Sequence, residues 1–312
     1  MAFSMDSLHH VEDGIRRVTF ALPLGIDHVH CYFLRTTEGA WMLVDTGLGA
    51  EDPEAQWAPV LSALDAPVER ILVTHMHPDH VGGAADLAAL TGAAVHQGRV
   101  DFDQCVRVWG PERSQRRIDD WMRDHGMPDE LLGGSDRLAA RVRYAPDPVL
   151  LDPGDELDGW RVELLPGHAD GHLVLRRGDV LVAGDTILGE ITPAVGLYPE
   201  CRPDPLADYL DSLARIAEWR PRLALPGHGP LLADAAARAR EIAAHHGERL
   251  DATAGALGDG PRSAFEVSLR IFGRVPPAQR RFALTEALAH LERLVRLGRA
   301  ERLDGLPVRF AA

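Results

Sequence analysis

Residues 71–83 read ILVTHMHPDHVGG, a short apolar run followed at once by a dense polar cluster. The first residues are typical of a buried β-strand, and His75, His77, Asp79 and His80 follow within six positions. Burying so many polar groups at a strand end is costly unless each finds a hydrogen-bond partner or a metal ion. The stretch therefore predicts a strand that ends at a metal site.

The spacing within this cluster indicates how ions would be held. His75 and His77 lie two residues apart, so in an extended segment both imidazoles lie on one side and can bind one ion. Pro78 then turns the chain, which lets Asp79 and His80 face a neighbouring point. Imidazole and carboxylate groups suit zinc, and a site for such ions needs more ligands than these four residues supply. The cluster thus predicts two adjacent metals with further ligands elsewhere in the chain.

Three later stretches repeat the pattern of an apolar strand followed by a glycine-flanked histidine or aspartate. They are ELLPGHADGH (163–172), VLVAGD (180–185) and LALPGH (223–228), which supply His168, Asp185 and His228. Glycine beside a ligand permits the tight turn from strand to loop. Four strand ends are therefore predicted to bring seven ligand-type residues to one edge.

Composition narrows the range of functions. A chain of 312 residues with 46% hydrophobic content can form one large core and a small additional domain. The formal net charge of −14 argues against a nucleic-acid partner, because binding phosphates needs a basic surface. The chain has neither Lys nor Asn, so a substrate anion is expected to meet Arg, His, metal or backbone.

Cysteine usage and hydropathy predict a cytoplasmic protein. Cys31, Cys105 and Cys201 are odd in number and far apart, which favours free thiols in a reducing compartment. The first residues lack the pattern of a signal peptide, and no run of eighteen apolar residues could cross a membrane. The expectation is a protein without a membrane partner.

Strand and helix patterns predict two domains. Residues 1–235 alternate strands and helices, as in a layered α/β (α+β) domain, with a helical insertion at about 99–147 that carries Trp109 and Trp121. Residues 236–312 read as three helices followed by a short strand pair, the order of a winged-helix-like domain. Because residues 241–312 contain 11 Arg and 9 acidic residues, this domain is expected to pack, to shape the pocket or to form a homodimer rather than to bind DNA.

The set of motifs resembles the metallo-β-lactamase superfamily over about residues 15–232. The HxHxDH pattern at 75–80 is followed by His168, Asp185 and His228, and LVDTG at 43–47 is similar to an early-strand motif of that family. The resemblance implies an αββα sandwich with metals at one edge. It also implies ligand groups: His75, His77 and His168 for one metal, Asp79, His80 and His228 for the other, and a bridging Asp185. Asp45 would be a buried residue that orients these ligands.

The C-terminal part and the run GDTILGEITP at 184–193 are similar to the glyoxalase-II-like subgroup that includes β-lactamase-like protein 2. Members of that subgroup include thioester hydrolases and enzymes that cleave RNA. A motif common there, PGHTPGH, reads PGHADGH at 166–172. His168 survives this difference, while Thr and Pro of the turn are lost.

The predicted function is a binuclear metal-dependent hydrolase with two zinc ions, or iron or manganese in their place. A metal-bridging hydroxide is the expected nucleophile, with Asp79 orienting it and taking up its proton. The expected substrate is a small acyl ester, thioester or lactone. A phosphodiesterase or ribonuclease, and a mononuclear iron oxygenase on the same fold, are the alternatives. β-Lactamase action is disfavoured because that activity commonly uses a Cys ligand and Lys or Asn at the substrate.

Three other positions complete the candidate site. Tyr198 and Arg202, in the loop after Asp185, are candidates for binding substrate through a hydrogen bond and an ion pair. Their alternative role is packing or surface charge. His172 either orients a ligand or caps the following strand. His28 and His30 receive no functional role.

Overall fold

The protein was described from a computed structural model, which covers residues 8–23, 25–113, 115–133, 136–258 and 260–312. The start of the predicted 1–235 domain, at residues 1–7, lies outside this description. Among the described residues, the first of three sheets has seven strands in sequential order: His9–Glu12 (β1), Ile15–Ala21 (β2), His28–Arg35 (β3), Trp41–Val44 (β4), Val68–Val73 (β5), Ala94–Gly98 (β6) and Val149–Leu151 (β7). Strands β1 to β4 pair antiparallel, and β4 to β7 pair parallel. Because β4 and β5 are parallel neighbours, their carboxyl ends lie at one edge.

The second sheet has five strands in the reverse order, from β12 to β8. They are Glu156–Leu157 (β8), Trp160–Leu164 (β9), Leu173–Arg177 (β10), Val180–Gly184 (β11) and Leu223–Pro226 (β12). Strands β9 and β11 both pair antiparallel with β10, and β12 runs parallel to β11. The carboxyl ends of β9, β11 and β12 therefore emerge on the same side of this sheet.

Helices connect the strands and form the C-terminal part of the chain. They are Pro53–Ser62 (α1), Pro78–Val81 (α2), Ala84–Thr91 (α3), Arg99–Trp109 (α4), Gln115–Asp124 (α5), Asp136–Ala139 (α6), Pro205–Trp219 (α7), Ala235–Gly255 (α8), Ala264–Ile271 (α9) and Arg280–Arg296 (α10). Two 3₁₀ turns span Asp129–Leu131 and Pro277–Gln279. A third, three-stranded sheet contains Arg262–Ser263 (β13), Glu301–Leu303 (β14) and Arg309–Ala311 (β15).

The alternation of side chains along the strands builds a four-layer sandwich. In β3, Val29, Cys31 and Phe33 pack with α1 and α3 on the outer face, while Tyr32 and Leu34 face the second sheet. Strand β10 does the same from the other side, since Val174 packs with α7 and α8 and its neighbours Leu173 and Leu175 pack between the sheets. The predicted αββα architecture is confirmed.

The helical insertion and the C-terminal part of the chain share a hydrophobic cluster. Met122 and Met127 of the insertion are buried against Phe265, Leu288 and Phe310. The insertion therefore does more than cover the edge of the first sheet, because it also packs onto the C-terminal helices. The boundary at residue 235 and the winged-helix designation stay predictions. Within the described ranges, no helix is long and apolar enough to cross a membrane.

Candidate metal centre

The carboxyl ends of five strands deliver the predicted site residues to one edge of the sandwich. In chain order, the residues that follow β4, β5, β9, β11 and β12 are Asp45, the 75–80 cluster, His168, Asp185 and His228. Parallel direction of the strands in each sheet makes this convergence possible. The structure thus brings all seven predicted ligands together.

One group contains three imidazoles. Ligand nitrogens of His75, His77 and His168 lie within 4.8 Å of one another. His75 Nε2 lies 3.1 Å from His77 Nδ1, which confirms that the spacing of two places both rings on one side. His168 reaches them from the other sheet and donates from Nδ1 to the carbonyl oxygen of Ala194 at 2.8 Å, so its Nε2 faces the group.

The second group contains a carboxylate and two imidazoles. Ligand atoms of Asp79, His80 and His228 lie within 4.8 Å of one another. His228 Nε2 lies 3.4 Å from Asp79 Oδ2, and His80 Nε2 lies 4.0 Å from the same oxygen. Asp79 and His80 project from the single turn α2, which begins at Pro78 as the sequence predicts.

Asp185 lies between the two groups. Its Oδ2 lies 3.6 Å from His168 Nε2 and 3.2 Å from His228 Nε2, and its Oδ1 lies 3.5 Å from His80 Nε2. The carboxylate therefore contacts imidazoles of both groups. That placement suits a bridge between two ions.

Asp45 is a buried carboxylate that contacts Thr74 and His80. It accepts hydrogen bonds from the backbone N–H and the hydroxyl of Thr74 and lies 2.8 Å from His80 Nδ1. The His80 Nδ1–H donates to this carboxylate, which leaves Nε2 to face the second group. Asp45 has a φ of 62°, a left-handed conformation that Asp tolerates better than most residues.

His172 supports Asp185. Its Nε2 accepts a hydrogen bond from the backbone N–H of Asp185 at 3.0 Å, and its ring stacks on His75 at a centroid distance of 4.5 Å. Of the two predicted alternatives, the geometry favours orientation of a ligand residue over capping of a strand.

The electrostatics divide the site into two halves. Burial lowers the pKa of His75 and His77 well below the ordinary value, and it lowers the pKa of His168 as well. Burial opposes charge on Asp185 too, but His228 and His80 outweigh it and hold the pKa of this carboxyl well below its usual range. Burial therefore favours neutral imidazoles at His75, His77 and His168, whereas the Asp185 carboxylate raises the pKa of His80 and His228 against the effect of their burial.

Unpaired buried atoms show that a metal fits here. Four buried ligand atoms of the two groups have no hydrogen-bond partner in the described part of the chain: His80 Nε2, His168 Nε2, His228 Nε2 and Asp185 Oδ1. The three nitrogens all lie within 3.6 Å of the Asp185 carboxylate. Because an unpaired buried polar atom costs about 1–3 kcal/mol, so many at one place indicate cationic partners for nitrogen and oxygen lone pairs.

Asp101 is a supporting residue that sequence reasoning missed. This buried side chain accepts hydrogen bonds from the backbone N–H of Met76 and from Gln97, and burial raises its pKa to about 8. Trp109 donates to the carbonyl oxygen of Met76. The insertion thus fixes the backbone between His75 and His77. An aspartate at the start of a polar helix carries no distinguishing signal in the sequence.

Tyr198 and Arg202 lie outside the two ligand groups. The Tyr198 hydroxyl accepts a hydrogen bond from Thr285 of α10 at 3.3 Å, and its ring packs with the C-terminal hydrophobic cluster. Arg202 donates from Nε and Nη2 to the two carboxylate oxygens of Asp208, at 2.6 and 3.0 Å. These contacts match the predicted alternative of packing and surface charge, and substrate binding by either residue stays a prediction.

The fold and the site together define a metallo-β-lactamase-type hydrolase fold. Residues 24–228 match the family described as the Metallo-beta-lactamase superfamily, and the chain belongs to it. Residues 250–312 match the family described as Metallo-beta-lactamase-like, C-terminal domain.

Individual relatives share both parts of the chain. A metallo-beta-lactamase family protein from Thermus thermophilus is 35% identical, with 97% of this chain and 99% of that chain covered at a TM-score of 0.86. The probable metallo-hydrolase YqjP of Bacillus subtilis is 24% identical over 86% of this chain and 88% of its own. A beta-lactamase-like protein 2 homolog of Caenorhabditis elegans is 26% identical over 95% of this chain and 91% of its own. The predicted family resemblance is confirmed.

Proposed function

We propose that this protein is a binuclear zinc hydrolase that cleaves a small acyl ester, thioester or lactone. The observation that carries this proposal is the position of Asp185, whose two oxygens face His80 on one side and His168 and His228 on the other. A carboxylate with unpaired imidazoles on both sides is suited to bridging two ions.

We infer that the candidate ligands divide between two ions along the two groups, which are linked by a further set of His75, His80 and Asp185 within 4.8 Å of one another. His75, His77 and His168 would hold one ion, Asp79, His80 and His228 would hold the other, and Asp185 would contact both. A donor set of imidazole nitrogens and carboxylate oxygens, without thiolate, suits zinc and also accommodates iron or manganese. Elemental analysis distinguishes these metals.

The proposed hydrolysis depends on bound ions and on the protein's own side chains, which have different roles. Ions bound here would supply Lewis acidity and activate water. Asp79 is placed to accept a proton, because its carboxylate lies at the second group with 13% of its side chain exposed. Asp45 and His172 hold His80 and the backbone of Asp185, so these residues keep the reacting geometry fixed.

Acyl substrates are supported by a relative and by charge. The chain is 26% identical to the atrochrysone carboxyl ACP thioesterase of Passalora fulva, over 61% of this chain and 45% of that protein. The formal net charge of −14 disfavours a polyanionic nucleic acid. A small thioester or ester therefore ranks above a phosphodiester.

Elemental analysis and a substrate panel test this function together. Wild type is expected to hold about two zinc ions per chain and to cleave thioesters or esters. Asp185→Asn keeps the shape but removes the charge, so we expect loss of at least one ion and a fall in turnover of about 100-fold or more. Asp103→Asn, at an exposed position on α4, is the matched control.

Three results would contradict the proposal. Normal turnover with both metals in Asp185→Asn would remove the bridging role. Cleavage of phosphodiesters alone would replace the acyl substrate class. One iron per chain without hydrolysis would favour the oxygenase alternative.

A further inference from the structure

Strand β3 contacts the loop 227–229, although the two lie about two hundred residues apart. His28, His30 and Tyr32 alternate along β3, so their side chains lie on the face toward the second sheet. Tyr32 donates from its hydroxyl to the carbonyl oxygen of Pro226 at 2.7 Å. The two histidines continue this row of contacts beyond the end of β12, where His228 lies.

The contacts of His28 fix the hydrogen-bonding roles of nitrogens in two rings. Its Nε2 lies 2.9 Å from the backbone N–H of Gly229, which can only donate, so this nitrogen accepts and the ring proton lies on Nδ1, facing Asp27. The carbonyl oxygen of His28 lies 2.6 Å from His228 Nδ1. His228 therefore donates from Nδ1, and its Nε2 faces Asp79 and Asp185.

His30 holds the same loop through the opposite tautomer. Its Nε2 lies 2.8 Å from the carbonyl oxygen of Gly229 and must donate, while its Nδ1 accepts from the hydroxyl of Thr19 at 2.9 Å. Its own backbone N–H donates to the carbonyl oxygen of Gly227 at 2.7 Å. The ring is 5% exposed, so these bonds form away from water.

We propose that His28 and His30 are positioning residues that hold the loop 227–229 and aim His228 Nε2 at the second metal. This inference rests on the proposed binuclear function. Glycines flank His228 on both sides and have no side chains with which to anchor the loop. His28 and His30 supply those anchors from the first sheet. The two sheets are therefore joined at the edge where His228 lies.

Zinc titration of the metal-free protein, with a competing chelator, tests this role. The binding step that disappears in His228→Ala identifies the second site. His28→Ala is the main variant, since 30% of the side chain is exposed and the fold is expected to tolerate its loss. His30→Leu removes the donor and keeps bulk, and His30→Gln restores a donor toward Gly229.

We expect His28→Ala and His30→Leu to weaken the step that depends on His228 by about 10–100-fold and to leave the other step within about threefold, because each removes a side chain that anchors Gly229 while the backbone carbonyl of residue 28 is kept. His30→Gln should bring the affinity back close to wild type. His96→Ala, in the same sheet and 7% exposed, is the matched control and should change neither step.

The outcomes separate this inference from the proposed function. Equal weakening of both steps, or no change in the His228 step, would overturn the positioning role while leaving the binuclear site intact. Failure of wild type to bind zinc in either step would overturn the binuclear function and this inference with it.

Discussion

At the residue scale, Gly227 shows how closely the site is packed. A Cβ at this position would collide with Asp185 Oδ1 and lie 2.7 Å from His80 Cε1. Its backbone N–H donates to the carbonyl oxygen of Gly184, and its carbonyl oxygen accepts from His30. The backbone therefore cannot move away to accommodate a methyl group without breaking both bonds.

Gly227→Ala is predicted to displace Asp185 or His80 and to lower metal occupancy. We expect the protein to retain less than half of its metal after dialysis, because the methyl group occupies space at both ligands. Elemental analysis of the dialysed protein measures the loss. Retention of full wild-type metal content would show that the ligands relax around the added methyl group.

The candidate ligand residues could be predicted from sequence, but their supporting contacts could not. Histidine and aspartate after an apolar strand form a local signal that spacing makes specific, as in the 75–80 cluster. The bonds from Asp101 to Met76 and from His30 to Gly229 join residues 25 and 199 positions apart. No local pattern encodes such pairs, and aspartates and histidines are common elsewhere in the chain.

At the element scale, length decided which elements the sequence revealed. The strands that lead into the candidate ligands, β5, β9, β11 and β12, were predicted from the apolar run that precedes each motif. Strands β7 and β8 have three and two residues and were missed. Such short strands depend on pairing with their neighbours, and two or three residues are too few to form a recognisable β pattern.

Helix α8 contains a glycine that is exposed and unconstrained. Gly247 lies inside this helix of 21 residues, and a Cβ at this position would meet no described atom within 4 Å. Glycine in a helix costs stability because the unfolded chain has more freedom to lose. The position therefore offers stabilisation without contact to the metal centre.

Gly247→Ala is predicted to raise the free energy of unfolding by about 0.5–1 kcal/mol. Chemical denaturation measures this change, and metal content should stay at the wild-type level. Gly227→Ala, by contrast, is expected to lower the metal content. A decrease in stability for Gly247→Ala would show that α8 needs flexibility at this point.

At the scale of the whole molecule, the C-terminal helices form part of the main core. Leu294 of α10 and Ile242 of α8 belong to the same buried cluster as Leu213 of α7 and Leu181 of the second sheet. Arg293 adds an ion pair with Asp204 at 3.0 Å. Sequence patterns predicted helices here, but their packing partners depend on the tertiary fold.

Glu286 of α10 gives this packing a pH dependence. Burial raises the pKa of its carboxyl to about 7, partly opposed by Arg249. The pKa of Glu286 is higher in the folded protein than in the unfolded chain, so the protonated carboxyl favours the folded state. This contribution to the free energy of unfolding is fully present at low pH and is lost as pH rises through about 7. At pH 8 the folded protein must hold a half-buried carboxylate.

Glu286→Gln is predicted to stabilise the protein by about 1–3 kcal/mol at pH 8, with a smaller difference at pH 5.5, because the amide stays neutral. Denaturation at the two pH values measures this. Glu248→Gln, at an exposed position on α8, should show no such pH dependence. An equal effect of Glu286→Gln at both pH values would contradict the assigned cause.

The contacts between β3 and the loop 227–229 also determine when the site can form during synthesis of the chain. Residues 28 and 228 meet across 200 positions, so the first sheet leaves the ribosome long before its partner loop exists. A growing chain that ends before residue 228 lacks a ligand and the strand-to-loop junction. The candidate ligand set is therefore completed late in synthesis, once His228 has been made.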